Sequence, residues 1–212
     1  MSSTKSIILS CAGIGSRLGL GLTKALVQIN GRSLISLQLE LLKDVEDLRI
    51  VVGFQANEII DEVLKYRKDV IFIFNHHYFE TKTGASFYLG AKHANDYVLQ
   101  WDGDLLVHPE DVKKILTAEG EFVCYSDISS EDSVFVKTDE DGNVLSFSRE
   151  YGQYEWTGPV CMKREKVPYT TQNVFNIIEE HLPMPGLKVK AYDIDTYDDY
   201  IRVSNIIKSW DL

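Results

Sequence analysis

At residues 6–10 the chain reads Ser-Ile-Ile-Leu-Ser, and two residues later it enters a glycine-rich stretch, Ala12-Gly13-Ile14-Gly15-Ser16-Arg17-Leu18-Gly19-Leu20-Gly21-Leu22-Thr23-Lys24. A strand that is apolar throughout suits the middle of a parallel sheet covered on both faces. A glycine-rich turn at its end lets backbone N–H groups approach an anion, because glycine tolerates positive φ and close contact. The pair points to an α/β architecture with a phosphate site at the end of its first strand, although a tight structural turn would use the same glycines. Arg17 and Lys24 add the positive charge. The spacing departs from both common phosphate-loop fingerprints: Leu18 stands where a dinucleotide loop has its third glycine, and no Gly-Lys-Ser/Thr follows.

Further apolar, β-rich runs lie at 49–53, 70–74, 97–101 and 122–125, with amphipathic stretches between them. In 33–43, Leu34, Leu37, Leu41 and Leu42 share one side of a helix, and Ile59, Ile60, Val63 and Leu64 do so in 57–66. Strand and helix alternating at this rhythm predict a Rossmann-like three-layer α/β sandwich with a mostly parallel central sheet and right-handed crossovers. After residue 126 the rhythm changes. Segments 133–138 and 143–148 flank Asp139-Glu140-Asp141-Gly142, a hairpin by its Asp-Gly turn chemistry. A strand at 159–163, a helix at 171–181, a strand at 189–192 and a helix at 197–210 are expected to follow, making an antiparallel insertion. With 212 residues, 44% of them hydrophobic, one domain spanning 1–212 is expected.

The 22 basic against 32 acidic residues give a net charge of −10, which argues against a nucleic-acid backbone or an anionic membrane as main partner. A small phosphate ligand remains compatible if carboxylates hold a Mg²⁺ ion beside it. Cys11, Cys124 and Cys161 are odd in number, widely spaced and free of any C-x-x-C pair, so a reducing, cytoplasmic setting is expected. The apolar run after Lys5 is too short for a signal-peptide core or a membrane span.

Asp102-Gly103-Asp104 comes directly after the 97–101 run, at the strand edge where open α/β sheets bind ligands. Asp104 suits a hard divalent cation, although Asp-Gly at a strand end also reads as a plain turn. Asp193 and Asp195 alternate onto one face before Thr196, a candidate helix N-cap, so they read equally as acids favouring a helix N-terminus. Between residues 149 and 158, aromatic rings interleave with carboxylates, a pattern able to receive an ammonium group and one that 11 tyrosines also produce by chance. His76-His77 reads as a polar loop, because adjacent histidines do not easily share one ion.

Taken in order, Gly13, Gly15, Arg17, Leu18 and Lys24, then Val51-Val52-Gly53-Phe54, Trp101-Asp102-Gly103-Asp104, Thr157-Gly158 and Asp193-Ile194-Asp195-Thr196 resemble the signature of the nucleotidyltransferase superfamily. Within it the chain looks most like sugar-phosphate nucleotidyltransferases and the small cytidylyltransferases of phosphocholine type. It departs from the pattern at Cys11, where alanine or glycine is common, and at Thr23, where the family usually has proline. The resemblance implies a GT-A-like fold, with 1–104 mainly binding nucleotide and 105–212 mainly binding acceptor. It implies Mg²⁺ on Asp104 and Asp195, leaving open whether Asp102 or Asp193 joins them, with Lys24 on the α-phosphate and Arg17 on the β/γ-phosphates. Nucleotide contacts would come from Ala12, Gly13, Gly15, Ser16, Gly53, Gly84, Ala85 and Ser86, with Ser86 either meeting a base edge or capping a helix over 87–93. Acceptor contacts would come from Arg149, Tyr154, Glu155, Trp156 and Gly158, with Arg149 or Lys137 meeting the acceptor phosphate. The expected reaction joins a nucleoside triphosphate, CTP favoured, to phosphocholine, another phosphorylated amine or phosphonate, or a sugar phosphate, in the service of surface polysaccharide or head-group synthesis. A homodimer is compatible with it. Two competing expectations stand: a glycosyltransferase using Asp102-Gly103-Asp104 as a D-x-D motif, which leaves Arg17 and Lys24 without a role, and a non-catalytic nucleotide-binding module.

Overall fold

In the computed structural model, which describes residues 4–15, 21–129 and 133–210, the first apolar run becomes strand β1 (Lys5–Cys11). Its side chains alternate between two cores: Ile7, Leu9 and Cys11 face one, while Ile8 faces the other. After it, β2 (Gln28–Ile29) and β3 (Arg32–Ser33) form a small ribbon that feeds α1 (Leu34–Leu41). Ser33 caps that helix by accepting the N–H of Ser36. Then follow β4 (Asp47–Val52), α2 (Ala56–Leu64), β5 (Ile71–Phe74), α3 (Thr83–Ala91) and β6 (Tyr97–Asp102). Strand β1 pairs in parallel with β4 on one side and β6 on the other, and Ser10 lies level with both Val51 and Asp102. The three strands therefore end along one edge.

The second half contains β7 (Leu105–Val107), α4 (Pro109–Thr117), β8 (Phe122–Ser126), β9 (Phe135–Thr138), β10 (Val144–Ser148), β11 (Tyr154–Lys163), α5 (Val174–Glu179), β12 (Gly186–Lys188), β13 (Ala191–Asp193) and α6 (Tyr197–Ile206). Strand β11 inserts antiparallel beside β6, so the sheet runs β10-β9-β11-β6-β1-β4-β5, with β8 and β12 branching from β11. One face carries α1, α2 and α4 through Ile35, Leu39, Ile59, Val63, Val112 and Ile115. The other carries α3 and α5 through Phe87, Ala91, Val174, Ile177 and Ile178. This is the three-layer, mostly parallel α/β fold with an antiparallel insertion.

The insertion differs from expectation in detail. Strand β11 starts at Tyr154 instead of Pro159, because the chain passes through Gly158 as a bulge: its φ is 103°, and pairing with β8 shifts register between Trp156 and Val160. The strand expected at 189–192 resolves into β12 and β13, which pair with different partners. Helix α3 begins at Thr83, ahead of the expected 87–93, because Gly84 serves a tertiary contact: its N–H donates to the carbonyl of Gln172 at 2.9 Å, and a Cβ there would lie 2.6 Å from that oxygen. Helices α5 and α6 are shorter than 171–181 and 197–210, the latter ending in a 3₁₀ turn, Ile207–Ser209.

Candidate active site

Backbone contacts at the C-terminal edge of β1, β4 and β6 are close, and glycines make them so. Gly103 donates its N–H to the carbonyl of Ser10 at 2.9 Å, and a Cβ would sit 2.6 Å from that oxygen and 2.7 Å from Cys11 Sγ. Asp102 and Asp104 therefore flank a residue clamped to β1. The amide of Ile194 donates to the carbonyl of Asp104 at 3.2 Å, and β13 pairs with β7, which brings Asp193 and Asp195 to the same edge. Asp195 is fixed from the other side by the first turn of α6. There Thr196 and Asp199 form a capping box, and Asp199 Oδ2 also accepts the amide of Asp195 at 3.3 Å.

Lys24 opens the 3₁₀ turn Lys24–Leu26 and is 9% exposed. Its ammonium donates to Asp104 Oδ2 at 2.6 Å and to Asp195 Oδ1, so the two carboxylates converge on one cation. Gly15, at φ 67°, lies against its stem: a Cβ there would be 2.8 Å from Lys24 Cγ. Burial pulls the Lys24 ammonium down, and Asp104 and Asp195 outweigh that pull, leaving its pKa above the ordinary lysine value. Asp102 behaves oppositely. Burial and the neighbouring charge of Asp104 push its carboxyl up to about 7, against a hydrogen bond at 2.6 Å from Gln100 Nε2. Asp193 is raised in the same direction, by its enclosure among protein atoms at the cavity wall and then by Asp104 and Asp102. The buried Cys11 thiol is pushed far up and is not a nucleophile.

Two cavities meet at this cluster. One, of about 290 Å³, is lined by Ala12, Gly13, Gly15, Lys24, Tyr78 and Ser86 among others. The second, of about 430 Å³, is lined by Arg149, Trp156, Phe175, Asp193, Asp195 and Arg202 among others. Thr83, Asp102 and Asp104 line both. Two adjoining cavities with carboxylates at their junction are what a reaction between two bound molecules needs.

Residues 7–166 match the MobA-like NTP transferase domain. The chain belongs to that family. This nucleotidyltransferase is 26% identical to the choline-phosphate cytidylyltransferase of Streptococcus pneumoniae, over 97% of this chain and 99% of that one. Among solved structures it is similar to the inositol-1-phosphate CTP transferase of T. maritima, with a TM-score of 0.81 and 17% identity, covering 99% of this chain and 98% of that one. It is also similar to the CTP:phosphocholine cytidylyltransferase of Streptococcus pneumoniae, with a TM-score of 0.75 and 22% identity, covering 96% and 99% respectively.

The nucleotidyltransferase fold gathers Ala12, Gly13, Gly15, Lys24 and Ser86 at the first cavity. Ser86 is not a helix cap. It lies within the first turn of α3, where its hydroxyl accepts from Asn75 Nδ2 at 3.2 Å. Gly53, Gly84 and Ala85 do not line that cavity. Gly53 allows β4 to close on the loop, with Phe54 N–H donating to the carbonyl of Ala12 at 3.1 Å, and Ala85 is buried. Ser16 and Arg17 lie outside the described residues.

Arg149, Glu155, Trp156 and Gly158 line the second cavity, while Tyr154 does not: its ring packs on Tyr125 with centroids 4.8 Å apart. Glu155 is held by its neighbours, accepting from the Ser129 amide at 3.0 Å and the Ser129 hydroxyl at 2.6 Å. Lys137 sits over the ring of Tyr151 at 4.4 Å and is absent from the cavity lining. The residues that sequence reading missed are Tyr78 and Asn75 at the first cavity and Phe147, Phe175 and Arg202 around the second. Phe147, Trp156 and Phe175 form an aromatic group with centroids 6.0 to 6.3 Å apart, and the Arg149 guanidinium lies 5.1 Å from the Phe175 centroid. Arg202 donates to Asp199 Oδ1 at 2.8 Å and leaves its Nε buried without a partner. Among the described residues no helix is long and apolar enough to cross a membrane.

Proposed function

We propose that this nucleotidyltransferase is a Mg²⁺-dependent cytidylyltransferase that joins CTP to a small phosphorylated acceptor, a phosphorylated amine such as phosphocholine being the first candidate. One observation carries the reading: the Lys24 cavity and the Arg149/Arg202 cavity share Asp102 and Asp104. CTP is favoured because the similar proteins named above are CTP-dependent by description. A phosphorylated amine is favoured by the aromatic group of Phe147, Trp156 and Phe175 beside carboxylates.

The residues fit a metal that arrives with its nucleotide. Asp104 and Asp195 already converge on one cation, and among the described residues no set of three or more His, Cys, Asp or Glu side chains is arranged to hold an ion. Mg²⁺ commonly takes one or two carboxylates and completes its shell with phosphate oxygens and water. When bound, the ion would supply positive charge between the two phosphate groups. Lys24 would turn from the carboxylates to the α-phosphate, the backbone at Gly13 and Gly15 would meet the triphosphate, and Arg17 is assigned to the β/γ-phosphates. Arg149 and Arg202, the cations lining the acceptor cavity among the described residues, hold the acceptor phosphate. That phosphate has a second pKa near ~6 and is already largely ionised at neutral pH, so no general base is required. Its oxygen bonds to the α-phosphorus, the bond to the β-phosphate oxygen breaks, and pyrophosphate leaves. The work left to the protein is to hold two anions in line and stabilise the charge that shifts between them.

Pyrophosphate release is the test, with each of the four nucleoside triphosphates and Mg²⁺ against phosphocholine, phosphoethanolamine, aminoethylphosphonate, inositol 1-phosphate and sugar 1-phosphates. Release with CTP and one phosphorylated amine, abolished by Asp104→Ala, is the expected result. Release only with another nucleotide or a sugar phosphate would correct the substrate assignment, and silence across the panel would refute it.

A further inference from the structure

Thr23, which precedes Lys24, has its backbone held on both sides. Its carbonyl accepts the N–H of Leu26 at 3.0 Å, and its own N–H donates to Gln55 Oε1 at 2.7 Å. Thr23 is 2% exposed, so that N–H has no water to turn to, and a buried donor without an acceptor is costly. Gln55 reaches it from the turn between β4 and α2, and its own backbone is left-handed, at φ 51° and ψ 42°. Glycine or asparagine would adopt that conformation more easily. Although Gln55 immediately precedes α2, its side chain makes no capping hydrogen bond to the helix. A strained residue that leaves its own helix uncapped while its side chain holds a distant backbone amide is placed for that amide.

We infer that Gln55 is a positioning residue for Lys24. Its side-chain carbonyl fixes Thr23 to the turn between β4 and α2 and thereby aims the next residue's ammonium at Asp104 and Asp195. The inference rests on the proposed role of Lys24 in the reaction. The backbone also identifies a covalent substitute. Thr23 has φ −63° and ψ 141°, the φ at which a proline ring locks, and proline has no N–H to satisfy. Thr23→Pro therefore restrains by its ring what Gln55 restrains by a hydrogen bond.

Gln55→Met keeps the side chain's length and removes the acceptor. The expected result is a fall of about 10- to 100-fold in kcat for pyrophosphate release, with KM for the nucleoside triphosphate changed less than about threefold. Adding Thr23→Pro to Gln55→Met should recover most of that loss. A Gln55→Met protein with wild-type kcat overturns the inference, and so does a folded double variant no better than Gln55→Met alone. A second measurement is independent of turnover and decides alone if Thr23→Pro does not fold. In metal-free urea unfolding of Gln55→Met, Lys24→Met and the pair, positioning predicts less-than-additive losses, because a turn no longer anchored by Lys24 can relax and hydrate the Thr23 amide. Additive losses overturn the inference. Non-additive losses with no pyrophosphate release from the wild type would uphold Gln55 while refuting the proposed reaction.

Discussion

Lys24→Met tests whether Asp104 and Asp195 form a cation site. The ammonium is bound by both carboxylates, whose side chains are 28% and 26% exposed against 11% for Lys24. Removing one partner of a buried ion pair costs about 3–5 kcal/mol, mostly through the charge left behind, and the partial exposure of the aspartates places this case near the lower end, about 3 kcal/mol. In a domain of this size each kcal/mol moves Tm by roughly 2–4 °C, so the metal-free variant should melt about 6–12 °C below wild type. Mg²⁺ should then recover stability selectively. In the wild type an incoming ion must displace the ammonium, whereas in Lys24→Met it meets two converging carboxylates with no competitor. A ligand at 100 times its Kd adds about 2.7 kcal/mol, and that gain should appear in the variant at lower Mg²⁺ concentration than in wild type. Thermal melts in EDTA and across a Mg²⁺ titration at pH 8 supply the readout. A metal-free variant within about 1 kcal/mol of wild type, or identical Mg²⁺ titrations of the two proteins, would refute the reasoning.

Gly158→Ala should destabilise the fold by about 3 kcal/mol in urea unfolding, since residue 158 sits at φ 103° and the new Cβ meets the Asp102 carboxylate. Wild-type stability would show that the bulge does not require glycine. In metal-free protein the Asp102 carboxyl, pushed up from 3.8 to about 7, keeps a proton that the unfolded chain releases, so its contribution to stability falls as pH rises between those values. Asp102→Asn should remove that slope and gain about 4 kcal/mol at pH 8 relative to pH 4, and an unchanged slope in paired urea series would place the titration elsewhere. Glu155→Ala should cost about 2 kcal/mol and speed amide exchange at Ser129, whose N–H it accepts; unchanged exchange would mean that this hydrogen bond does not hold the loop.

The parallel half was legible because buried central strands appear in a sequence as continuous apolar runs. The runs containing Ile7-Ile8-Leu9 and Ile50-Val51-Val52 emerge as β1 and β4, side by side. The remaining strands were less legible for two physical reasons. Strands β2, β3, β7, β12 and β13 are two or three residues long, shorter than any periodicity can mark. Strand β11 carries Gly158-Pro159, which reads locally as a breaker and is tolerated because β8 and β6 pair with the chain beyond the bulge. At the candidate site, Lys24, Asp104 and Asp195 come together from positions far apart in the chain, each having a local signal of its own: a glycine loop, a strand end or a helix cap. Gln55, Phe175 and Arg202 had none. Their parts depend on which loop packs against which, and Arg202 reads locally as an ordinary i,i+3 partner of Asp199.

The charge of the cluster explains why its resting form has this shape. Asp102, Asp104, Asp193 and Asp195 lie on one edge of an already acidic protein, and the proposed substrates are both phosphate anions. Two unit charges 4 Å apart at an effective dielectric of 20 interact by about 4 kcal/mol, so each uncompensated carboxylate would repel an incoming phosphate by an amount comparable with a useful binding energy. Two features reduce that repulsion before any ligand arrives: the upward shift of the Asp102 and Asp193 carboxyls, which favours their neutral forms, and the Lys24 ammonium between Asp104 and Asp195. The second holds only while Lys24 stays there. On the proposed mechanism the lysine leaves for the α-phosphate, and the carboxylates must exchange it for a divalent ion in the same event. Nucleotide and metal should therefore bind with positive coupling, each tightening the other equally, because each supplies what the other's arrival leaves uncompensated.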